Sequence, residues 1–346
     1  MTTTPVPGLP DLSGARTLAT IDIGTNTTLL LVARVLGGRD IEVLAERAEI
    51  TRLGRGIGRG GELGAVGIDA TLGALREYAR VAHAHGAHIA AIGTEGLRRA
   101  PNARVFLDAA REILGVEVEV IDGPREAALT FRAVVESFPG LAGGGTPLVV
   151  VDIGGGSTEI IVAEPMRGDA GGGVSAGVDV DIRLRTSLPL GSVRLTERHM
   201  RSEPPHADEI AAARDEIAAT LATITLGLGT PAQTPASVPT APTLVGVAGT
   251  VTSLAAMAQN LTSYDPSKVH GFRLDQHALD AQIARLMHST QTQREAMAGL
   301  DPRRADVILA GALILRALVT RTGAAAVLVS DRGIRWGLLY DLIRRS

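Results

Sequence analysis

The chain uses one device twice. The first copy is Ala19-Thr20-Ile21-Asp22-Ile23-Gly24-Thr25-Asn26-Thr27; the second is Val149-Val150-Val151-Asp152-Ile153-Gly154-Gly155-Gly156-Ser157. Each reads as an apolar strand that reaches an Asp, bends through glycine and small polar residues, and continues into another strand. Glycines in such a bend let backbone N–H groups approach an anion closely, and the hydroxyls add donors. The Asp at the strand end can hold a metal ion or a water beside that anion. One Asp-x-Gly turn is common and says little. Two, each opening a run of alternating strands and helices, predict two similar α/β domains that share work on a phosphate. A third glycine motif, Val245-Gly246-Val247-Ala248-Gly249-Thr250-Val251-Thr252, ends a strand and opens a helix. Free N–H groups there favour a phosphate near Gly249 and Thr250; the alternative is a plain strand-to-helix turn.

Composition narrows the function. With no cysteine among 346 residues, thiolate catalysis, cysteine-ligated zinc and disulfides are excluded. Basic and acidic residues number 34 and 37, so no global positive field marks a nucleic-acid binder. Aromatics are 2% of the chain, too few for base-stacking platforms. No run approaches the ~18 apolar residues of a membrane span. The Thr- and Pro-rich start, Met1 to Gly14, lacks the basic and apolar regions of a signal peptide. These readings predict a cytoplasmic protein that binds neither nucleic acid nor membrane. Lys268 is the single lysine, which reads as coding bias.

Residues 1–16 read as a disordered lead-in, 17–140 as the first domain and 147–332 as the second. Pro139 to Pro147, with three consecutive glycines, forms the joint, and a last helix within 333–346 is free to pack back on the first domain. In the first domain, three strands precede alternating helices and strands, with Arg98 in a turn and Asn102 opening a helix as an N-cap residue. In the second, Met166 to Asp181 reads as a glycine-rich hairpin tip, Glu209 to Leu228 as one long helix and Thr230 to Thr243 as a loop.

The paired hairpins resemble the actin, Hsp70 and sugar-kinase superfamily, with its ribonuclease H-like domains, in which two such turns clamp phosphates across an interdomain cleft. More specifically, the chain resembles the exopolyphosphatase and guanosine pentaphosphate phosphohydrolase (Ppx/GppA) family from Ala19 to Leu339. The ordered motifs are Asp22 to Thr27, Thr51 to Gly56, Gly93 to Arg98, Gly123 to Ala127, Asp152 to Glu159, Leu188 to Leu195, Gly246 to Thr250 and Ser330 to Arg335. The Asp-Ile-Gly-Gly-Gly-Ser-Thr-Glu run is the most specific. The resemblance implies a phosphoric anhydride hydrolase that uses Mg²⁺ or Mn²⁺ to remove terminal phosphate from linear polyphosphate or guanosine pentaphosphate.

Carried over by position, Glu126 matches the catalytic glutamate that activates the attacking water. Asp22, Asp152 and Glu159 match the metal-holding acids. The resemblance implies phosphate contacts from Gly24, Thr25, Asn26, Thr94, Arg98, Gly154, Gly155, Gly156, Ser157, Thr158, Gly249 and Thr250. Arg52 fits the family pattern as part of a polyphosphate track; Arg55 and Arg59 do not. Three positions depart from the family: Arg125 where an acid is frequent, Ala128 where a base is, and Trp336 in place of Glu in the last motif. Asp265 to Gly271 recurs in a branch of the family without a mechanism to attach to it. The chain ends at Ser346, so the additional helical domain of longer members is expected to be absent; homodimerisation stays open. Exopolyphosphatase is the expected activity, with guanosine pentaphosphate hydrolysis as the alternative. A non-catalytic polyphosphate or alarmone sensor is disfavoured because Glu126 and Asp152 are both present. A sugar or acetate kinase is disfavoured because no sugar or adenosine site is recognisable.

Overall fold

The computed structural model describes residues 17–37, 40–55, 57, 61–141, 146–165, 180–228 and 241–345. The expected lead-in 1–16, most of the 166–181 hairpin tip, most of the 230–243 loop, and Arg59 lie outside them. The chain divides into two compact units, one of residues 1–129 with 334–346 and one of residues 130–333. The division falls inside the helix Gly123–Ser137, after Leu129, and not at the proline- and glycine-rich stretch from Pro139 to Pro147. A helix carries its backbone hydrogen bonds straight through such a point, so composition does not mark it.

In the first unit, β1 (Thr17–Ile23) is the central strand. It pairs antiparallel with β2 (Thr28–Gly37), which pairs with β3 (Asp40–Glu49). On its other side β1 runs parallel to β4 (His88–Gly93), and β4 to β5 (Val118–Val120), giving the order β3-β2-β1-β4-β5. A strand buried on both faces is mostly apolar, and β1 is buried from Leu18 to Ile23 with Thr20 and Asp22 as its polar members there. At the edge, β3 is largely exposed and mixes Glu42, Glu46, Arg47 and Glu49 into its sequence, which discourages pairing with another chain. The helix Ala65–Ala84 covers this sheet with Leu75, Tyr78, Ala79 and Ala82.

The second unit repeats the plan. β6 (Leu148–Ile153) is central and fully buried, flanked by antiparallel β7 (Thr158–Pro165) and β8 (Val180–Leu188). On its other side lie parallel β9 (Thr243–Val247) and β11 (Ala326–Val329), with β10 (Arg273–Asp275) closing the edge. The order is β10-β11-β9-β6-β7-β8, the first unit's order with one strand added. The helix Ile308–Thr322, buried and without polar side chains from Ile308 to Leu315, lies in this unit's core. No helix among the described residues is long and apolar enough to cross a membrane.

Several local expectations change. Arg98 lies in a short helix, Glu95–Arg99. Asn102 precedes the helix Ala103–Leu114 but does not cap it; its amide bonds the Leu63 backbone on both sides, at 2.8 and 3.0 Å, tying down the preceding loop. The helix expected to reach Leu228 spans Ala207–Ala222, because the β-branched run Thr223-Ile224-Thr225 follows and Gly227 turns left-handed at φ +66. β10, with only Leu274 apolar, is too short to show a period.

Candidate functional site

The repeated device folds the same way in both units. Gly24 N–H donates to the Thr27 carbonyl at 3.1 Å, and Gly154 N–H to the Ser157 carbonyl at 3.0 Å. A Cβ on Gly24 would lie 2.9 Å from that carbonyl oxygen, and one on Gly154 3.2 Å, so each turn is built for glycine. Asp22 and Asp152 sit, buried, near the ends of the two central strands.

In the second unit the carbonyls of the glycine loop are all occupied from one side. Gly154 accepts from Ser192 N–H at 2.9 Å and Gly155 from Val193 and Arg194 N–H at 3.0 and 3.1 Å. Gly156 accepts from the Arg194 side-chain Nε at 2.8 Å. These donors belong to the start of the helix Ser192–His199. In a trans peptide the carbonyl and the following N–H point opposite ways. The N–H groups of Gly155, Gly156 and Ser157 therefore face away from that helix, a row of donors suited to an anion.

Beside this loop Asp152 and Glu159 are register partners across β6 and β7, so their side chains stand on one face. Thr130 Oγ1 donates to Asp152 at 3.3 Å and Ser187 Oγ to Glu159 at 2.6 Å. Burial pushes the Asp152 carboxyl up to about 6, with the Thr130 hydrogen bond pulling the other way. Two neighbouring carboxylates suit Mg²⁺, which takes oxygen ligands and commonly completes its shell with water and substrate phosphate. Among the described residues no cluster of three or more His, Cys, Asp or Glu forms a self-sufficient cage.

The first unit holds Glu126 in the first turn of the helix Gly123–Ser137, 8% exposed. The Asp122 carboxylate accepts from Arg125 N–H at 2.8 Å and so caps that helix. Arg98 brackets the same turn: its Nη1 donates to the Ile121 carbonyl at 2.6 Å and lies 3.8 Å from Glu126 Oε2. Thr94 N–H donates to the Ile23 carbonyl at 3.2 Å, joining the Arg98 helix to the end of β1. Thr25 is wedged between Gly54 and Gly96, with its hydroxyl 3.5 Å from Glu95 Oε2. The backbone N–H of Arg52 donates to the Asn26 carbonyl at 3.0 Å, and Arg52 itself has φ +53. The structure thus gathers Asp22, Gly24, Thr25, Asn26, Arg52, Thr94, Arg98 and Glu126 in the first unit, and Asp152, Gly154, Gly155, Gly156, Ser157, Thr158, Glu159, Gly249 and Thr250 in the second.

Other residues emerge only from the structure. Glu95 is buried, bonded by Arg99 at 2.9 Å and facing Thr25. Gly191 and Arg194 set the glycine loop. The Arg304 guanidinium lies on Gly249, where a Cβ would come within 2.0 Å of Nη1, and burial lowers its pKa. Thr250 Oγ1 would be 2.5 Å from a Cβ on Gly311, so the helix Ile308–Thr322 crosses there at close range. The glycine of the Leu188 to Leu195 motif is the sequence signal for the Gly191 contact; Arg304 lies 55 residues from Gly249 and gives none.

Two of the three departures from the family pattern, Arg125 and Trp336, have structural partners. Arg125 pairs with Asp341 on the last helix, Ile334–Arg345, at 2.5 Å. Trp336 Nε1 donates to Glu46 Oε1 at 3.1 Å. Gly337 lies against Leu129, with room for no side chain: a Cβ would be 1.9 Å from the Leu129 carbonyl oxygen.

Comparisons with known proteins agree with this construction. The profile of the Ppx/GppA phosphatase family matches residues 31–346. Exopolyphosphatase 2 of Mycobacterium tuberculosis is 35% identical over 342 residues, covering 94% of this chain and 98% of the relative. The guanosine-5'-triphosphate,3'-diphosphate pyrophosphatase of Vibrio atlanticus is 29% identical, covering 94% of this chain and 59% of its own length. Among solved structures, a Ppx/GppA enzyme of Aquifex aeolicus has a TM-score of 0.73 at 30% identity, covering 94% of this chain and 99% of that one. An exopolyphosphatase from Cytophaga hutchinsonii has a TM-score of 0.81 at 25% identity, covering 95% and 98%. The two sheets share the strand order of the actin/Hsp70-like fold, and the chain is an enzyme that belongs to the Ppx/GppA phosphatase family.

Proposed function

We propose that this chain is an exopolyphosphatase, releasing terminal orthophosphate from linear polyphosphate by in-line attack of water. The observation that carries the reading is the turned glycine loop, whose N–H groups of Gly155, Gly156 and Ser157 form an anion-binding row beside Asp152 and Glu159. Phosphoryl transfer asks a protein chiefly to hold the phosphate in line, offset its charge and orient the nucleophile. In this reading the loop and Thr158 hold the terminal phosphate, and Gly24, Thr25, Asn26 and Thr94 are the corresponding phosphate donors of the first unit. Glu126 takes the proton of the attacking water as its oxygen bonds to phosphorus and the bridging P–O bond breaks; the electron pair leaves with the shortened chain. Arg98, beside Glu126 and fixed to the Ile121 carbonyl, keeps that carboxylate oriented and offsets phosphate charge.

Mg²⁺, with Mn²⁺ as its substitute, would be held by Asp152 and Glu159 and would supply charge neutralisation of the phosphate oxygens; Asp22 is the corresponding strand-end acid of the first unit. The cytoplasm is the compartment that this reading assigns.

A second reading, guanosine pentaphosphate hydrolysis, is favoured by the Vibrio relative and uses the same residues. The chain has eight aromatics (one Trp, three Tyr, four Phe), which favours the substrate without a purine. Phosphate release from long polyphosphate, tripolyphosphate and guanosine pentaphosphate, measured side by side with Mg²⁺, tests the choice. The highest kcat/KM is expected on a polyphosphate; a higher value on the guanosine substrate than on every chain length would transfer the mechanism to the second reading.

A further inference from the structure

The segment Asp265 to Gly271 is built with more care than a connecting loop needs. The Asp265 carboxylate accepts from Ser267 N–H at 3.0 Å and Ser267 Oγ at 2.6 Å. Gly271, left-handed at φ +82, donates its N–H to the Val329 carbonyl at 2.8 Å, and Val329 N–H returns a bond to Phe272 at 2.9 Å. His270 is thereby delivered to the end of β11. Two residues past that strand, Asp331 meets it. Ser330 N–H donates to Gly246 at 2.9 Å, and Ser330 Oγ accepts from Arg332 N–H at 3.1 Å, so this turn is fixed as well.

His270 Nδ1 lies 2.9 Å from Asp331 Oδ1, at pairing distance though off the hydrogen-bond axis. The Phe138 ring stacks on the imidazole, centroids 4.5 Å apart and planes within 11°. The His270 side chain remains 22% exposed, and among the described residues its Nε2 has no hydrogen-bond partner. With one nitrogen turned to a carboxylate and one face covered, Nε2 is the ring atom left to meet a ligand. Protonated at both nitrogens, the ring donates from Nε2 to an anionic oxygen.

The location says which anion. β6, β9 and β11 are parallel neighbours, and ligands of such sheets gather at the carboxyl ends of the strands. Those three ends carry, in order, the glycine loop with Asp152, the Gly249 turn with Arg304, and His270 with Asp331. Strands are ~4.8 Å apart, so the imidazole stands on the order of 10 Å along the edge from the loop. A linear polyphosphate repeats the same charge over that distance, whereas tripolyphosphate bound by its end spans only part of it.

We infer that His270, positioned by Asp331 and Phe138, is a distal subsite for a phosphate group of a polyphosphate whose terminal phosphate occupies the 154–158 loop. This rests on the exopolyphosphatase reading. The test is the ratio of kcat/KM on long polyphosphate to that on tripolyphosphate, for wild type, His270→Gln, His270→Ala and Asp331→Asn. The ratio should fall about tenfold in His270→Ala, through KM for the long chain, and less in His270→Gln, which keeps a donor. Asp331→Asn should move it in the same direction. A purely structural role would lower both constants together, and an unchanged ratio in folded His270→Ala overturns the subsite. A selective loss on guanosine pentaphosphate would overturn it too, because the site would then serve a nucleoside. Wild-type protein that releases phosphate from no polyphosphate would instead sink the underlying reading.

Discussion

The backbones of Gly191 and Gly155 touch so closely that a Cβ on Gly191 would lie 2.3 Å from the Gly155 carbonyl oxygen. This contact lets the helix Ser192–His199 collect the carbonyls of the 154–156 glycine loop and leaves the loop's N–H groups on the opposite side. Gly191→Ala should therefore displace the loop. A KM for polyphosphate raised about tenfold, corresponding to the ~1.4 kcal/mol of one good hydrogen bond to a charged group, is the expected outcome. Unchanged KM in a folded Gly191→Ala protein would show that the loop does not bind substrate.

Glu126 is placed by the helix start at Gly123 and lies 3.8 Å from Arg98. Glu126→Gln keeps the shape and removes the base. We expect kcat to fall by ~10²–10⁴ with polyphosphate still bound. Single-turnover phosphate release together with a binding titration separates the two effects; near-full kcat would remove Glu126 from the chemistry.

The turns that place the site were legible because their physics is local. Asp22 to Thr27 and Asp152 to Ser157 carry their glycines at the bends, and short apolar runs announce β1 and β6. Arg304 over Gly249, Asp331 beside His270 and Asp341 beside Arg125 were not legible. Each joins residues far apart in the chain, and a single Arg, His or Asp has no periodicity to betray its partner. Asn102 shows a related limit. Its residue type suits a helix N-cap, but the Leu63 backbone offered both a donor and an acceptor, and the side-chain amide satisfied those.

Asp152 gives a pH signature with a definite sign. Its carboxyl is raised from the usual 3.8 to about 6 by burial, so the folded protein holds a proton that the unfolded chain has lost between those values. Stability therefore falls as pH rises from about 4 to about 6 and stays lowered above that. Asp152→Asn should raise Tm at pH 7, with an upper bound of about 3 kcal/mol, and change it little near pH 3.5. Thermal melts of the two proteins across pH 3.5–8 check this. Added Mg²⁺ should stabilise the wild type more than the variant; a variant less stable than wild type at pH 7 contradicts the account.

Arg125 departs from the family pattern for a reason that the last helix supplies. It ties the start of the Glu126 helix to Asp341, which also holds Arg345 at 2.6 Å. Arg125→Ala removes one of the partners of Asp341, and a loss of roughly 1–3 kcal/mol is expected. KM for polyphosphate should stay within about twofold, because in this account the guanidinium serves the fold of the first unit. Denaturant melts and steady-state kinetics on the same preparation decide the matter: a raised KM at unchanged stability would make Arg125 a substrate contact.

The proposed substrate carries a charge at every step, and its contacts are N–H rows, arginines and an imidazole. Added salt should weaken such binding, since the Debye length shrinks from ~10 Å at 0.1 M to ~3 Å at 1 M. The loss should grow with the number of phosphates engaged, so long polyphosphate should respond more steeply than tripolyphosphate. With Mg²⁺ held saturating and KCl raised from 50 to 300 mM, KM for the long chain is expected to rise on the order of tenfold. kcat should change little, because in the proposed mechanism the chemical step involves only groups in direct contact, where screening is weak. Equal slopes for the two substrates would mean that only the terminal phosphates are gripped, leaving the phosphate loop in place and removing the track along the strand ends.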